Sequence, residues 1–206
     1  VYFSGAWHTV LIGTLRAGVR SLFALDITDP AAITLLWERS FDDTTPAADL
    51  ANLGFTFPQP NIARLHSGQW AVVTGNGYGN QASSNPDRAS LMIFDIATGA
   101  LLREMVVTGN TSIPNGLSGV KLADNNSDGI ADYAYAGDLQ GNMWRFDLVT
   151  TPTPTTPVRT DPFLQSAIGT IAASTFKVSY GGSPLYSAID GRISGATRQP
   201  ISAPPS

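Results

Sequence analysis

One strand-like run recurs along the chain at nearly constant spacing. WHTVLIG (Trp7–Gly13), WAVVTG (Trp70–Gly75) and YAYAG (Tyr133–Gly137) each open on an aromatic and close on a glycine. The aromatics are 63 residues apart in both intervals, and the glycines 62. Each closing glycine would let the chain turn through positive φ. A second run follows each first one: LFALDI (Leu22–Ile27), LMIFDI (Leu91–Ile96) and MWRFDL (Met143–Leu148), each setting an Asp before a turn. A third apolar run, ITLLWERSF or ALLREMVV, follows in the first two repeats. The short strands NIARL (Asn61–Leu65) and GVKLA (Gly119–Ala123) precede the second and third. Four antiparallel strands at a fixed period are the signature of a propeller blade. The chain is therefore expected to be all-β, a partial (modified) β-propeller of repeated four-stranded antiparallel blades with about 63 residues per repeat. A β-sandwich with coincident spacing is the competing architecture, and the doubled match of aromatic and glycine argues against it.

Residues 1–206 read as a fragment of one propeller domain, with repeats at about 1–57, 58–114 and 115–180 and a further one starting at 181–206. The ends carry this expectation: VYFSGAW reads like the middle of a strand and QPISAPPS like a strand entry cut short. Long loops such as Asp42–Phe57 and Asn76–Ala89 take up the excess length over a minimal blade. The Thr/Pro-rich stretch 150–162 cannot donate ladder hydrogen bonds at its prolines and is expected to be an extended loop. Beyond it, STFKVSY and PLYSAI read as strands, and QPIS (Gln199–Ser202) echoes QPNI (Gln59–Ile62).

Composition agrees. Twenty glycines and fourteen prolines supply frequent turns, and only 14% of residues are charged, against about 25% in a typical soluble chain. A net charge of −4 without a Lys/Arg cluster argues against a nucleic-acid partner. No apolar run approaches the roughly 18 residues of a transmembrane segment. The absence of cysteine excludes disulfides and thiolate metal sites.

In this charge-poor chain, DNNSDGIAD (Asp124–Asp132) gathers three carboxylates into nine residues. The second repeat has only the turn HSGQ (His66–Gln69) at the same place. The spacing matches a calcium loop of the EF-hand type, in which side chains at positions 1, 3 and 5 wrap one point, position 6 is Gly and position 7 offers its carbonyl. Asp124, Asn126 and Asp128 take positions 1, 3 and 5, Gly129 takes position 6, and Ile130 supplies the carbonyl. Asp132, at position 9, can close the sphere in place of a Glu at position 12. Hard oxygen donors without nearby Cys or His suit Ca²⁺ rather than zinc, and magnesium demands a stricter octahedron. Without a cation the three carboxylates would repel one another. The alternative is an Asx-rich turn with no metal.

The stretch ADNNSDGIADYAYAGDLQGNMWRFDL (Ala123–Leu148) resembles the calcium-loop region of the PilC/PilY family, the large surface-exposed factors of bacterial type IV pili. The likeness extends to GAWHTVLIGTLRAGVRSLFALDITDP, to GNGY (Gly75–Tyr78) and to RQPISAPPS. The resemblance implies a modified propeller whose calcium ligands are Asp124, Asn126, Asp128, Ile130 and Asp132. It implies a place at the cell surface or pilus tip, reached through the periplasm of a Gram-negative bacterium. It also implies roles in pilus assembly, in opposing retraction, in twitching motility and in surface attachment. Expected partners are pilus components, minor pilins among them. Contact with host or abiotic surfaces would fall to a variable N-terminal region of the family that these residues lack.

Two other readings stand beside it. A generic calcium-stabilised extracellular adhesion module would share the loop without the pilus. ALDITDPAAITLLW and IFDIATGALL also resemble the blade-stapling motif of quinoprotein alcohol dehydrogenases. Quinone catalysis would need calcium beside a cofactor at the ring centre, whereas this loop is a connection between strands, and no enzyme is expected. His8 and His66 lack a matched nucleophile and read as surface or turn residues. GNGYGN (Gly75–Asn80) lacks the Lys-Ser/Thr of a phosphate loop and reads as a turn. Asp26, Asp95 and Asp147 recur at one blade position, which favours structural hydrogen bonding over catalysis. Trp7 and Trp70, sharing a repeat position, are expected in the core.

Overall fold

Strands form where branched and aromatic residues run together, and they end where Asp, Thr and Gly can turn the backbone. The structure, a computed structural model, describes residues 1–41, 48–80, 88–149, 168–169, 171–190 and 197–205. A small hairpin, β1 (Tyr2–Phe3) and β2 (Ala6–Trp7), precedes blade 1, which consists of β3 (Val10–Thr14), β4 (Ser21–Asp26) and β5 (Thr34–Ser40). Blade 2 is β6 (Asn61–Leu65), β7 (Trp70–Gly75), β8 (Ser90–Asp95) and β9 (Leu101–Val106), antiparallel in chain order. Blade 3 begins with β10 (Leu117–Ala123). A two-residue strand, β11 (Ile130–Ala131), leaves it to pair in parallel with β6 of blade 2. The blade continues with β12 (Tyr133–Asp138) and β13 (Asn142–Asp147). Its fourth strand is split. β14 (Lys177–Val178) pairs one end of β13 and β15 (Tyr186–Ser187) the other, with a 3-10 turn at Tyr180–Gly182 between them. A last ladder joins β16 (Ile189–Asp190) to β17 (Thr197–Arg198).

The register corrects the repeat in two ways. Val10, Ala71 and Tyr133 are the equivalent positions, since they pair with Asp26, Asp95 and Asp147 respectively. Trp70 lies one residue before this position and Trp7 three before it, so the aromatic match is a coincidence of spacing. Trp7 is 68% exposed on the hairpin, in edge contact with Trp70. Blade 1 also has three strands, because no strand among the described residues pairs with the free edge of β3. Of the run STFKVSY, Ser174 and Thr175 lie in a 3-10 turn, Ala173–Thr175, and only Lys177–Val178 join a ladder. Residues 150–162 lie outside the described residues.

Blade 2 explains why the apolar runs are continuous rather than alternating. Successive residues of a strand point to opposite faces. Val72, Met92 and Phe94 pack toward blade 1 with Leu22, Ala24 and Trp37. Ala71, Val73, Leu91 and Ile93 pack toward blade 3 with Leu117, Ala136, Trp144 and Phe146. Both faces are buried, so both must be apolar. Blade 1 has one covered face: Leu22 and Ala24 are buried, whereas Leu35 is 61% exposed.

Glycine marks the close approaches between layers. A Cβ on Gly75 would stand 2.2 Å from the Ser118 carbonyl oxygen, and one on Gly137 would stand 2.2 Å from Ile201. Neither residue has positive φ. They are glycine because the neighbouring segment leaves no room for a methyl group, and not because the chain turns there. Residue 201 thus runs beside blade 3 much as Ser118 runs beside blade 2. The staple between blades 1 and 2 is Trp37: it donates from Nε1 to the Ile96 carbonyl at 2.9 Å and lies over Gly99.

Candidate functional site

The acidic loop connects β10 to β11. Asp124 accepts hydrogen bonds from the backbone N–H of Asp128 at 3.2 Å and of Gly129 at 2.8 Å. Asn126 accepts from the Asp128 N–H, and its amide donates to Asp128 Oδ2 at 3.1 Å. Asp128 Oδ1 accepts from the Ile130 N–H at 2.9 Å. These bonds wind the loop around its own side chains. Two left-handed residues complete the winding, Ser127 at φ 61° and Gly129 at φ 84°. A Cβ on Gly129 would meet nothing within 4 Å, so the requirement there is conformational.

Asp132 is held differently. It stands at the entry to β12, where its N–H donates to the Ala123 carbonyl and its carbonyl accepts from Leu148. Its side chain is fully buried. Oδ2 accepts from the Asn125 N–H at 2.6 Å, and Oδ1 meets His66 Nε2 at 2.7 Å. Burial pushes the Asp132 carboxyl above its ordinary range. The Asn125 and His66 hydrogen bonds oppose the shift, and the charge of Asp124 adds to it.

Hydrogen bonds therefore join Asp124, Asn126 and Asp128, and Asp132 meets the loop through the Asn125 amide. Ile130 sits in β11 with its side chain in the core. Among the described residues no three His, Asp or Glu side chains are grouped closely enough to hold a metal as they stand. The chemistry of the donor set nevertheless fits a hard cation. All four side chains offer oxygen, and a carboxylate oxygen that accepts one hydrogen bond keeps a second lone pair.

Sequence reasoning missed His66. It is fully buried, not at the surface, and it is the hydrogen-bond partner of Asp132. Its place in a turn concealed this, because the partner lies 66 residues away and in the neighbouring blade. His8 likewise has a partner: Nδ1 meets Asp26 Oδ2 at 2.7 Å, and the ring stacks on Phe3. The recurring aspartates hold turns and neighbours. Asp26 accepts from Thr28, Asp95 from Ala97 and Thr98, and Asp147 from Ser179. GNGYGN is a loop in which Gly54 and Tyr78 pack backbone to backbone.

The whole chain, residues 1–206, matches the family described as PilY1 beta-propeller domain. It is 57% identical over 205 residues to the type IV pilus biogenesis factor PilY1 of Pseudomonas aeruginosa, covering 100% of this chain and 16% of that protein. A PilY1 homolog of Xylella fastidiosa is 44% identical over 140 residues, or 68% of this chain and 10% of the relative. The crystal structure of the Pseudomonas aeruginosa PilY1 C-terminal domain superposes with a TM-score of 0.86 at 55% identity, covering 100% of this chain and 38% of that one. The chain thus spans a minor part of the length of its relatives. By sequence over its full length and by superposition of its sheets, it belongs to the PilY1 β-propeller domain family.

Proposed function

We propose that this chain is the calcium-binding propeller segment of a type IV pilus biogenesis factor, acting at the cell surface or pilus tip on the balance between pilus extension and retraction. The observation that carries the pilus reading is 57% identity, over 205 residues of this chain, to a protein of that name. Minor pilins are the expected partners, and twitching motility and surface attachment are the expected outputs. The role is one of binding and assembly rather than catalysis.

Asp124, Asn126, Asp128 and Asp132 would hold the ion with the Ile130 carbonyl. Bound Ca²⁺ would supply positive charge to these three carboxylates and offset their mutual repulsion. The chain supplies the rest: Gly129 and Ser127 set the winding, and β11 carries the loop to the edge of blade 2. Three acids and one neutral amide suggest an affinity of roughly 10⁻⁷–10⁻⁵ M.

A calorimetric calcium titration of the intact protein beside Asp128→Ala tests the site. One saturable event that disappears in the variant is expected, followed by altered twitching in a strain carrying the same change. No heat in the parent would make the loop an Asx turn. Normal twitching in a deletion strain would instead favour the generic adhesion module, and quinone-dependent dye reduction would favour the enzyme reading.

A further inference from the structure

The contacts of the acidic loop are not confined to its own blade. Two of them cross the seam to blade 2. β11 pairs in parallel with β6, Ile130 against Arg64 and Ala131 against Leu65. One residue beyond that pairing, His66 Nε2 reaches Asp132 Oδ1 at 2.7 Å, and both side chains are wholly shielded from solvent. The second crossing bears on the candidate ligand farthest from the loop's start.

We infer that His66 is a positioning residue for the Asp132 carboxylate, so that the turn of blade 2 is a working part of the calcium loop of blade 3. The inference rests on the calcium reading above.

The geometry supports it in three ways. First, the Asp132 backbone is fixed on both sides by blade 3, through Ala123 and Leu148, so only the side chain remains to be aimed. Two donors aim it, the Asn125 N–H on one oxygen and His66 on the other. A carboxylate only accepts, so the imidazole must donate from Nε2. Second, no competing hydrogen bond engages the His66 ring among the described residues, where Nδ1 has no hydrogen-bond partner. A buried imidazole left half-satisfied is costly, and the hydrogen bond its ring makes there is to this carboxylate. Third, the turn itself is fixed. The Leu65 N–H donates to the Gln69 carbonyl, the Gly68 N–H to Leu65, and the Gly169 N–H to the His66 carbonyl. The donor is thus delivered from a rigid platform. Groups behind a metal ligand set its orientation and basicity, and their loss typically weakens binding about 10–100-fold.

The test uses His66→Leu and His66→Gln in the intact protein, with calcium alone as the probe. Glutamine places an amide donor near the position of Nε2, whereas leucine removes it. Calorimetry should show calcium affinity falling about 10–100-fold in the leucine variant and largely restored by glutamine. Hydrogen exchange should show calcium slowing residues 61–69 together with 123–131 in the parent. In His66→Leu the loop alone should respond. A folded leucine variant with parental affinity would overturn the inference. So would a parent in which calcium protects 123–131 and leaves 61–69 unchanged. If the leucine variant does not fold, parental exchange and the glutamine titration decide, and weakened binding in a folded glutamine variant with no response at 61–69 counts against it. Absence of any calcium response in the parent removes the calcium reading itself, which separates that failure from this one.

Discussion

Asp26 shows how much a single side chain does at a blade corner. The Thr28 hydroxyl and backbone N–H both donate to it, and His8 meets it from the hairpin side. These bonds, Thr28's first, hold its carboxyl down at about 2, below the ordinary 3.8. The folded form is depressed, so the stabilisation is present above the ordinary value and disappears as pH falls through about 2. Thr28→Ala should raise the Asp26 midpoint toward the ordinary range, as read by carbon-detected NMR titration; an unmoved midpoint would leave the shift to the backbone N–H of residue 28 and to His8. The turn role of Asp26 was legible in the sequence because Thr-Asp-Pro begins two residues after it. The His8 contact was not, because it depends on a hairpin that no local pattern announces. The same contrast separates Asp124, Asn126 and Asp128, whose order in the sequence identifies a winding loop, from His66, whose meaning arises only when two blades meet.

Among the elements, β7 and β8 were the plainest to read. Continuous apolar runs of this length are what a strand buried on both faces requires. The glycine at the end of β7 was recognised for the wrong reason. Gly75→Ala should destabilise the protein by about 1–3 kcal/mol through overpacking, or by more because the obstacle is backbone; urea denaturation would measure it. A neutral result would show that β10 can retreat from blade 2. Trp37→Phe leaves the buried Ile96 carbonyl without its donor and should cost about 1–3 kcal/mol, read from the same denaturation curves. The split fourth strand of blade 3 was illegible because Ser179 and Arg145 define it across a long interval. Arg145 donates to Ser179, pairs with Asp147 and lies over the rings of Tyr133 and Tyr180. Such a node leaves no periodic trace.

For the molecule as a whole, the period identified a propeller even though its aromatic landmarks were misaligned. What it reported was the return of the first strand of each Asp-closed hairpin, whose equivalent positions Val10, Ala71 and Tyr133 lie 61 and 62 residues apart. Calcium, as proposed, acts at this scale because binding only to the folded form adds stability. At a hundredfold excess over Kd the gain is about 2.7 kcal/mol. Thermal unfolding of the intact protein should therefore shift upward with calcium and back with chelator, whereas Asp128→Ala should show neither shift. The parallel pairing of β11 with β6 has a further consequence. Repeat proteins commonly gain and lose units as independent cassettes, each carrying its own strands. Here a strand encoded by one unit completes the sheet of the one before it. Excising or shuffling the third blade would strip the second of an edge strand and of the buried partner of His66, so a cut between these two units would damage both.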